Sequence, residues 1–363
     1  MKIAILGTRG IPNNYGGCEA NAEMISPRFI AAGHEVTVYC SSEHVFQESE
    51  WQGVKLKHIP CPEEKVGIWG TLLYDFLCLR DACKSDFDII LELGYVPVAL
   101  FYPLFRRRPC LLTNMDGLEW RRTKWNALLR RFTHFTEYLG ARFSDALIAD
   151  NEAIQSHLLE AYGKQSFLIA YGAEQVEAAV DEHLAEYDVE AGEYYMLVAR
   201  LEPENNIEMI LQGYRESGTS QPMLVIGNTA TKYGQQLVEM FADTPGIRFL
   251  GGIFDYKILS SLRWLSRCYF HGHSVGGTNP SLLEAMASNA LIAIHDNPFN
   301  AAVVGEHALR FNSAADVKEI IESDLDSQRE SMVEANREKI ETRYTWDRAA
   351  QEHLDAFAEA LGR

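Results

Sequence analysis

Short runs of consecutive apolar residues recur along the chain, separated by stretches in which apolar positions return every three or four residues. The first series of runs is Lys2–Leu6, Glu35–Cys40, Val54–Ile59, Asp88–Leu93, Cys110–Thr113, Ala146–Ala149 and Phe167–Ala170, each with the length of a strand. Gly17–Ala32 predicts a helix that ends near Gly33, and helical patterns lie between several of the other runs. A second series comprises Tyr194–Ala199, Met223–Ile226, Ile247–Leu250, Cys268–His271 and Leu291–Ile294. Between the two lies Glu174–Glu193, rich in acids and alanines. Apolar strands alternating with helices indicate a doubly wound parallel sheet, and two such series predict two α/β domains, at 1–173 and 174–342. The tail, 343–363, holds an amphipathic helix from Tyr344 to Leu361 with Trp346, Ala350, His353, Leu354 and Phe357 on one face.

Composition agrees with two cores, since 47% of the 363 residues are apolar. The formal net charge of −18 argues against general nucleic-acid binding. Seven cysteines without a CxxC pair or zinc-ligand spacing read as reduced thiols in a cytoplasm. The apolar run at Met1–Leu6 ends at Gly7, too short for a secretory leader, and no stretch has the length of a membrane span. The basic residues are unevenly spread. Arg106, Arg107, Arg108, Arg121, Arg122, Lys124, Arg130 and Arg131 crowd into one region, interleaved with Phe105, Trp120, Trp125, Leu128, Leu129, Phe132 and Phe135. That mixture predicts peripheral contact of 105–135 with an anionic membrane surface; the alternative is a solvated helix with its apolar side in the core.

Candidate chemistry centres on His271–Glu284. Tyr269 and Phe270 end an apolar run, Gly276 and Gly277 allow a turn, and Asn279-Pro280 suits an N-cap and first helical residue. The N–H groups of Ser281 and Leu282 are expected to stand free at that helix start, where a phosphate binds without metal. Glu284, on the same helix, can accept hydrogen bonds from a ribose diol; alternatively Ser281 and Glu284 form a capping box. The first strand opens into Gly7-Thr8-Arg9-Gly10-Ile11-Pro12-Asn13-Asn14-Tyr15-Gly16-Gly17, which is not GxGxxG, so a dinucleotide dehydrogenase is a poor fit. Gly16-Gly17 opens a helix and offers a second anion site, or is a plain glycine-rich turn. Arg200 follows the first strand of the second domain, where its charge can neutralise a leaving diphosphate or form a surface salt bridge.

The stretches GTRGIPNNYGG, NMDGLEWRRTKW, LIAYGAE, VARLEPENNIE and HGHSVGGTNPSLLEAMA together resemble the retaining GT-B glycosyltransferases of family 4, and more closely their bacterial rhamnosyltransferase branch. The resemblance implies two facing Rossmann-like domains with a cleft between them and a C-terminal helix that crosses back onto the first. It implies a nucleotide-sugar donor, no cofactor and no metal. Carried over by position, Gly16 and Gly17 approach donor and acceptor, Arg200 holds the diphosphate, and Glu284 binds the ribose. The donor-binding set is then Gly16, Gly17, Arg200, Asn205, Gly277, Thr278, Asn279, Ser281, Leu282 and Glu284. The catalytic candidates are Arg200, Asp116, Glu119 and His273, with His271 beside them. Two positions depart from the broad family: Gly276 stands where it has a Glu eight residues before Glu284, and Asn205 where it has a Lys five residues after the arginine. The resemblance implies transfer of L-rhamnose from dTDP-L-rhamnose to a polyprenyl-diphosphate-linked sugar in cell-surface polysaccharide assembly. A catalytically silent scaffold that binds a nucleotide sugar, and a nucleotide-sugar epimerase of the same fold, are the alternatives.

Overall fold

The computed structural model describes residues 1–14, 16–105, 107–122 and 125–362. Tyr15 of the glycine-rich loop, and Arg106, Thr123 and Lys124 of the basic region, lie outside the described residues. The chain divides into two compact units. The first comprises Met1–Trp120, Trp125–Tyr171 and Trp346–Arg363, the second Arg121–Lys124 and Gly172–Thr345.

The first unit is built on an eight-stranded sheet of β1 (Lys2–Leu6), β2 (Glu35–Ser41), β3 (Glu50–Trp51), β4 (Val54–Ile59), β5 (Ile89–Leu93), β6 (Cys110–Asn114), β7 (Ala146–Ala149) and β8 (Phe167–Leu168), in the order β3-β4-β2-β1-β5-β6-β7-β8. All pairings are parallel except that of β3, a two-residue edge strand antiparallel to β4. Strands covered on both faces must be apolar throughout, which is why Ile3, Ile5, Val36, Val38, Ile89 and Leu91 read as continuous runs and all lie in one core. The predicted helix forms as Gly17–Ala31, and the C-terminal helix Trp346–Ala360 packs on it, with the Phe357 ring 5.7 Å from Phe29 and the His353 ring 6.1 Å. Ala349, Ala350, His353, Ala356 and Phe357 are its buried residues. All seven cysteines are free thiols.

His353 gives this helix a pH dependence. Its Nδ1 lies 2.7 Å from the Ala349 carbonyl, and burial pushes the imidazole down to about 4 from 6.5. A histidine with a lowered folded pKa is neutral in the native state while the unfolded chain takes up a proton. Stability is therefore whole above pH 6.5 and is lost as pH falls toward 4, by on the order of 3 kcal/mol. The unfolding midpoint is expected to drop across that window, and His353→Leu is expected to flatten the slope; a slope unchanged by the substitution would assign the acid sensitivity elsewhere.

The second unit carries a six-stranded parallel sheet of β9 (Tyr195–Val198), β10 (Met223–Ile226), β11 (Ile247–Gly251), β12 (Cys268–His271), β13 (Ile292–His295) and β14 (Leu309–Phe311), ordered β11-β10-β9-β12-β13-β14. Leu197, Val225, Phe270 and Ala293 from its strands meet Ile207, Leu211, Val317 and Ile321 from flanking helices in its core. The acid-rich stretch between the two series holds a 3-10 helix, Asp181–Tyr187. Among the described residues no helix is long and apolar enough to cross a membrane.

Candidate active site

In the second unit β9 and β12 are neighbours, so the turns at their carboxyl ends lie side by side. Arg200 occupies the first of these, its side chain exposed and its carbonyl tied down by the Glu202 amide at 2.8 Å and the Asn205 side-chain amide at 2.7 Å. Asn205, read from the sequence as a donor-binding residue, is 4% exposed and acts on the site by fixing the turn that carries Arg200. Asn206 adopts a left-handed conformation and donates to the Gly272 carbonyl at 2.8 Å, while Ser274 donates to the Glu204 carbonyl through its hydroxyl at 2.7 Å. The two turns are thus laced together. Gly272 is required for that: a Cβ there would lie 2.1 Å from the Asn205 carbonyl oxygen.

His271 and His273 stack with ring centroids 4.3 Å apart. Burial, with the nearby charges of Arg200 and Arg122, pushes the His273 imidazole down to about 3, and His271 is also lowered, first by burial. Both rings are neutral at physiological pH. His273 can donate or accept one hydrogen bond at a reacting sugar but cannot supply an imidazolium proton. Its carbonyl accepts from Asn297 at 3.0 Å and Asn300 at 2.8 Å, which fixes the strand end against the following helix start.

The helix beyond the glycine turn spans Pro280–Ala287, with Asn279 as N-cap and Pro280 at its first position. The expectation that the amides of Ser281 and Leu282 stand free is corrected. The Asn279 side chain accepts from Ser281 N–H at 3.0 Å and its carbonyl from Leu282 N–H at 3.0 Å. Gly276, with φ +138°, and the buried residues Gly277 and Thr278 precede the cap. The capping-box alternative for Glu284 is also set aside, because Ser281 is the second helical residue and not the cap. Instead Glu284 Oε2 accepts from Arg263 Nη2 at 2.6 Å. Arg263 projects from the helix Tyr256–Leu265, is 0% exposed, and lies 5.8 Å from the Tyr269 ring; the Glu284 side chain keeps 34% of its surface exposed. A buried guanidinium thus pairs with the carboxylate and fixes its direction.

In the first unit the carboxyl ends of β1, β6 and β7 bring together a different set. The helix that starts at Gly17, with Gly16 as its N-cap, places the Cys18 thiol 3.9 Å from Asp116 Oδ2. Burial, then the charges of Asp116, Glu19, Glu119 and Asp150, push that thiol well above its ordinary range, which places all four carboxylates around the helix start. Glu19 turns back to accept from the Arg9 amide at 2.7 Å, fixing the glycine-rich loop. Asp116 and Glu119 are half-buried on the segment after β6. That segment is anchored by Trp120, whose indole donates to Glu137 at 2.9 Å. Glu137, 1% exposed, also accepts from Tyr95 at 3.2 Å, His157 at 2.7 Å and Tyr162 at 2.7 Å.

Comparison with known proteins follows these two parallel-sheet units closely. A sucrose-phosphate synthase from Thermosynechococcus elongatus superposes with a TM-score of 0.80 at 15% identity, covering 99% of each chain. Anabaena Alr3699/HepE in complex with UDP matches with a TM-score of 0.77 at 14% identity, covering 99% of this chain and 100% of that one; the same protein is also known with UDP-glucose. A glycosyltransferase from Rickettsia africae ESF-5 gives 0.73 at 14% identity over 99% and 98% of the two chains. The fold is GT-B. In sequence, residues 1–174 match a family described as a domain of unknown function, DUF1972. No curated protein matches the chain in sequence.

On this GT-B framework the sequence-derived candidates fall into two groups. Arg200, Asn205, His271, His273, Gly277, Thr278, Asn279, Ser281, Leu282 and Glu284 gather at the carboxyl edge of the second sheet, and Gly16, Gly17, Asp116 and Glu119 at that of the first. Arg263 and Glu137 were missed. Arg263 did leave a signal, since it follows Leu259 by four positions on the buried stripe of its helix, where a lone cation needs a buried partner. Glu137 left none, because the buried face of its helix Ala127–Phe143 includes Thr133, Thr136 and Gly140, which no apolar period marks.

Proposed function

We propose that the chain is a retaining, metal-independent glycosyltransferase of family 4, in the bacterial rhamnosyltransferase branch. It moves L-rhamnose from dTDP-L-rhamnose to a sugar on a polyprenyl-diphosphate lipid in cell-surface polysaccharide assembly. The observation that carries this reading is the Arg263-held Glu284 carboxylate beside the glycine turn, in a fold whose HepE relative has been solved with UDP and with UDP-glucose. Glu284 takes the ribose, Arg200 receives the diphosphate as the glycosidic bond breaks, and the glycine turn admits the phosphates close to backbone. Neutral His273, with Asp116 and Glu119, addresses the reacting sugar, and Gly16 and Gly17 leave room at the acceptor side. Retention follows from attack on the face the leaving group departs from. A thermal-shift panel of dTDP-, UDP- and GDP-sugars tests the donor, since a ligand at a hundred times its Kd adds about 2.7 kcal/mol of stability. The largest shift is expected with dTDP-L-rhamnose, and transfer to lipid acceptor with that donor completes the test. Binding without transfer, whatever acceptor is supplied, would favour the silent scaffold; turnover without acceptor would favour the epimerase.

The same proposal includes peripheral contact with an anionic membrane. On the helix Ala127–Phe143 the large apolar residues Leu128, Phe135 and Tyr138 are 78%, 52% and 48% exposed, with Arg130 and Arg131 exposed beside them. Leu139 and Ala141 of the same helix are buried, so its apolar residues are divided between core and surface. Three of the arginines make contacts within the chain: Arg108 donates to the Phe143 carbonyl at 2.5 Å, Arg122 is within 3.8 Å of Glu204 with 16% of its side chain exposed, and Arg130, itself exposed, donates through Nε to the Trp120 carbonyl at 2.8 Å. Each Lys or Arg near an anionic surface contributes about 1 kcal/mol, so Arg121, Arg130 and Arg131 together changed to Glu are expected to abolish flotation with phosphatidylserine vesicles while sparing turnover on a short soluble acceptor. Equal flotation of parent and variant would remove the membrane from the proposal.

A further inference from the structure

The helix Ile68–Ala82 of the first unit carries an apolar stripe that reaches solvent. Trp69, Leu73, Phe76 and Arg80 recur at intervals of four, three and four residues, which sets them on one side of the helix. Trp69 is 71% exposed, Leu73 is 44% exposed and Arg80 is exposed as well, while Tyr74, Cys78 and Leu79 on its other sides are buried. The stripe does not stop at the helix. The Phe76 ring meets Phe101 at 5.2 Å and Phe105 at 6.1 Å, and next to these in the chain stand Leu104, 68% exposed, and the exposed Arg107. Phe101 and Leu104 belong to a 3-10 helix, Val98–Leu104, that packs both on this helix and on Ala127–Phe143. Three neighbouring elements thus each turn large apolar side chains outward.

Single exposed apolar side chains are ordinary, whereas a run of them across adjoining elements marks a surface that meets a partner. Its charge indicates which partner. Within 68–80, 98–108 and 126–143 the only acids are Asp75 and Glu137, both buried, although the whole chain has a net charge of −18. Among the described residues of these segments the exposed charges are all cationic: Arg80, Arg107, Arg130, Arg131 and Arg142. A second copy of the chain, docked symmetrically, would bring this patch against itself and set arginine against arginine. An anionic bilayer satisfies both properties, taking tryptophan and leucine at the acyl boundary and arginine among its headgroups. Resting on the reading of peripheral membrane contact, we infer that the helix Ile68–Ala82 is a second membrane-seating element, and that Trp69 and Leu73 are its inserting side chains.

Flotation of the full chain with vesicles of phosphatidylcholine and phosphatidylserine tests this. Trp69→Ser together with Leu73→Ser is expected to weaken partitioning at least about tenfold, because two large apolar side chains no longer leave water on binding. Both positions are exposed, so the variant is expected to keep the parent's unfolding midpoint. Brominated acyl chains quench a tryptophan that inserts among them. The parent's fluorescence is expected to fall on vesicles made with such lipid, and Trp69→Phe, which keeps an apolar ring, is expected to float like the parent and to lose that quenched component. A double variant that floats like the parent, or quenching that Trp69→Phe leaves unchanged, overturns the inference while the arginine-dependent contact stands. A parent that does not float overturns both. If the double variant does not fold, the quenching comparison decides. Self-association of the parent that the double variant abolishes, with no quenching on vesicles, assigns the patch to a contact between copies and overturns the inference.

Discussion

Arg200→Ala is expected to lower kcat at least about a hundredfold, the usual cost of removing one preorganised group that stabilises charge developing in a transition state. The charge in question is that of the diphosphate, which grows only as the bond to the sugar breaks, so KM is expected to move far less. Among the described residues Arg200 forms no ion pair, and His273, which feels its charge, is held neutral. The position five residues on supplies no charge, being the buried Asn205. The turn beneath Arg200 is fixed by hydrogen bonds to its own carbonyl, which the alanine variant keeps, so the loss is confined to the guanidinium. Steady-state kinetics with donor and acceptor measures it; turnover that survives the substitution unchanged would place the diphosphate elsewhere.

Glu137→Ala is expected to destabilise the first unit by about 3–5 kcal/mol, the cost of breaking a buried charged network by removing one member. Burial alone raises this carboxyl, but the hydrogen bonds from His157, Tyr162 and Trp120, with the His157 charge, outweigh it and hold it below the usual range. Removing the carboxylate strands four donors at once, from Tyr95, Trp120, His157 and Tyr162. Glu137→Gln keeps one good acceptor and is expected to fall between parent and alanine. Because the folded pKa is lowered, the network contributes fully above about pH 4.5 and is lost as pH falls through the carboxylate range. Denaturant unfolding of the three proteins measures the order; equal midpoints would show that the donors find other partners.

Most of the fold was legible because both sheets are parallel and buried, so their strands advertise themselves as uninterrupted apolar runs. Edge strand β3 and the short β14 escaped, since two and three residues carry no period. The site was legible where chemistry rides on backbone signals, as at Asn279-Pro280 and the glycines before it. It was not legible where a side chain's partner lies far off in sequence. Glu284 could be read as ribose contact or capping box, but neither reading pointed to its partner Arg263, 21 residues away, which became visible only once the two helices were placed side by side. The free amides of Ser281 and Leu282 failed as an expectation for a local reason: an asparagine cap followed by proline takes up those donors itself.

Asn205 also bears on which substitutions the site can accept. A single nucleotide substitution exchanges asparagine and lysine codons. Yet the side chain is 4% exposed and its amide holds the Arg200 carbonyl, while the Asn205 carbonyl lies where any Cβ on residue 272 would collide with it. A lysine at this position must either desolvate its ammonium or pull the turn open, and the glycine opposite has been committed to the closed form. Residues 205 and 272 are therefore epistatic: a cation at 205 is expected to be tolerated only where the partners of Asn205 have changed as well.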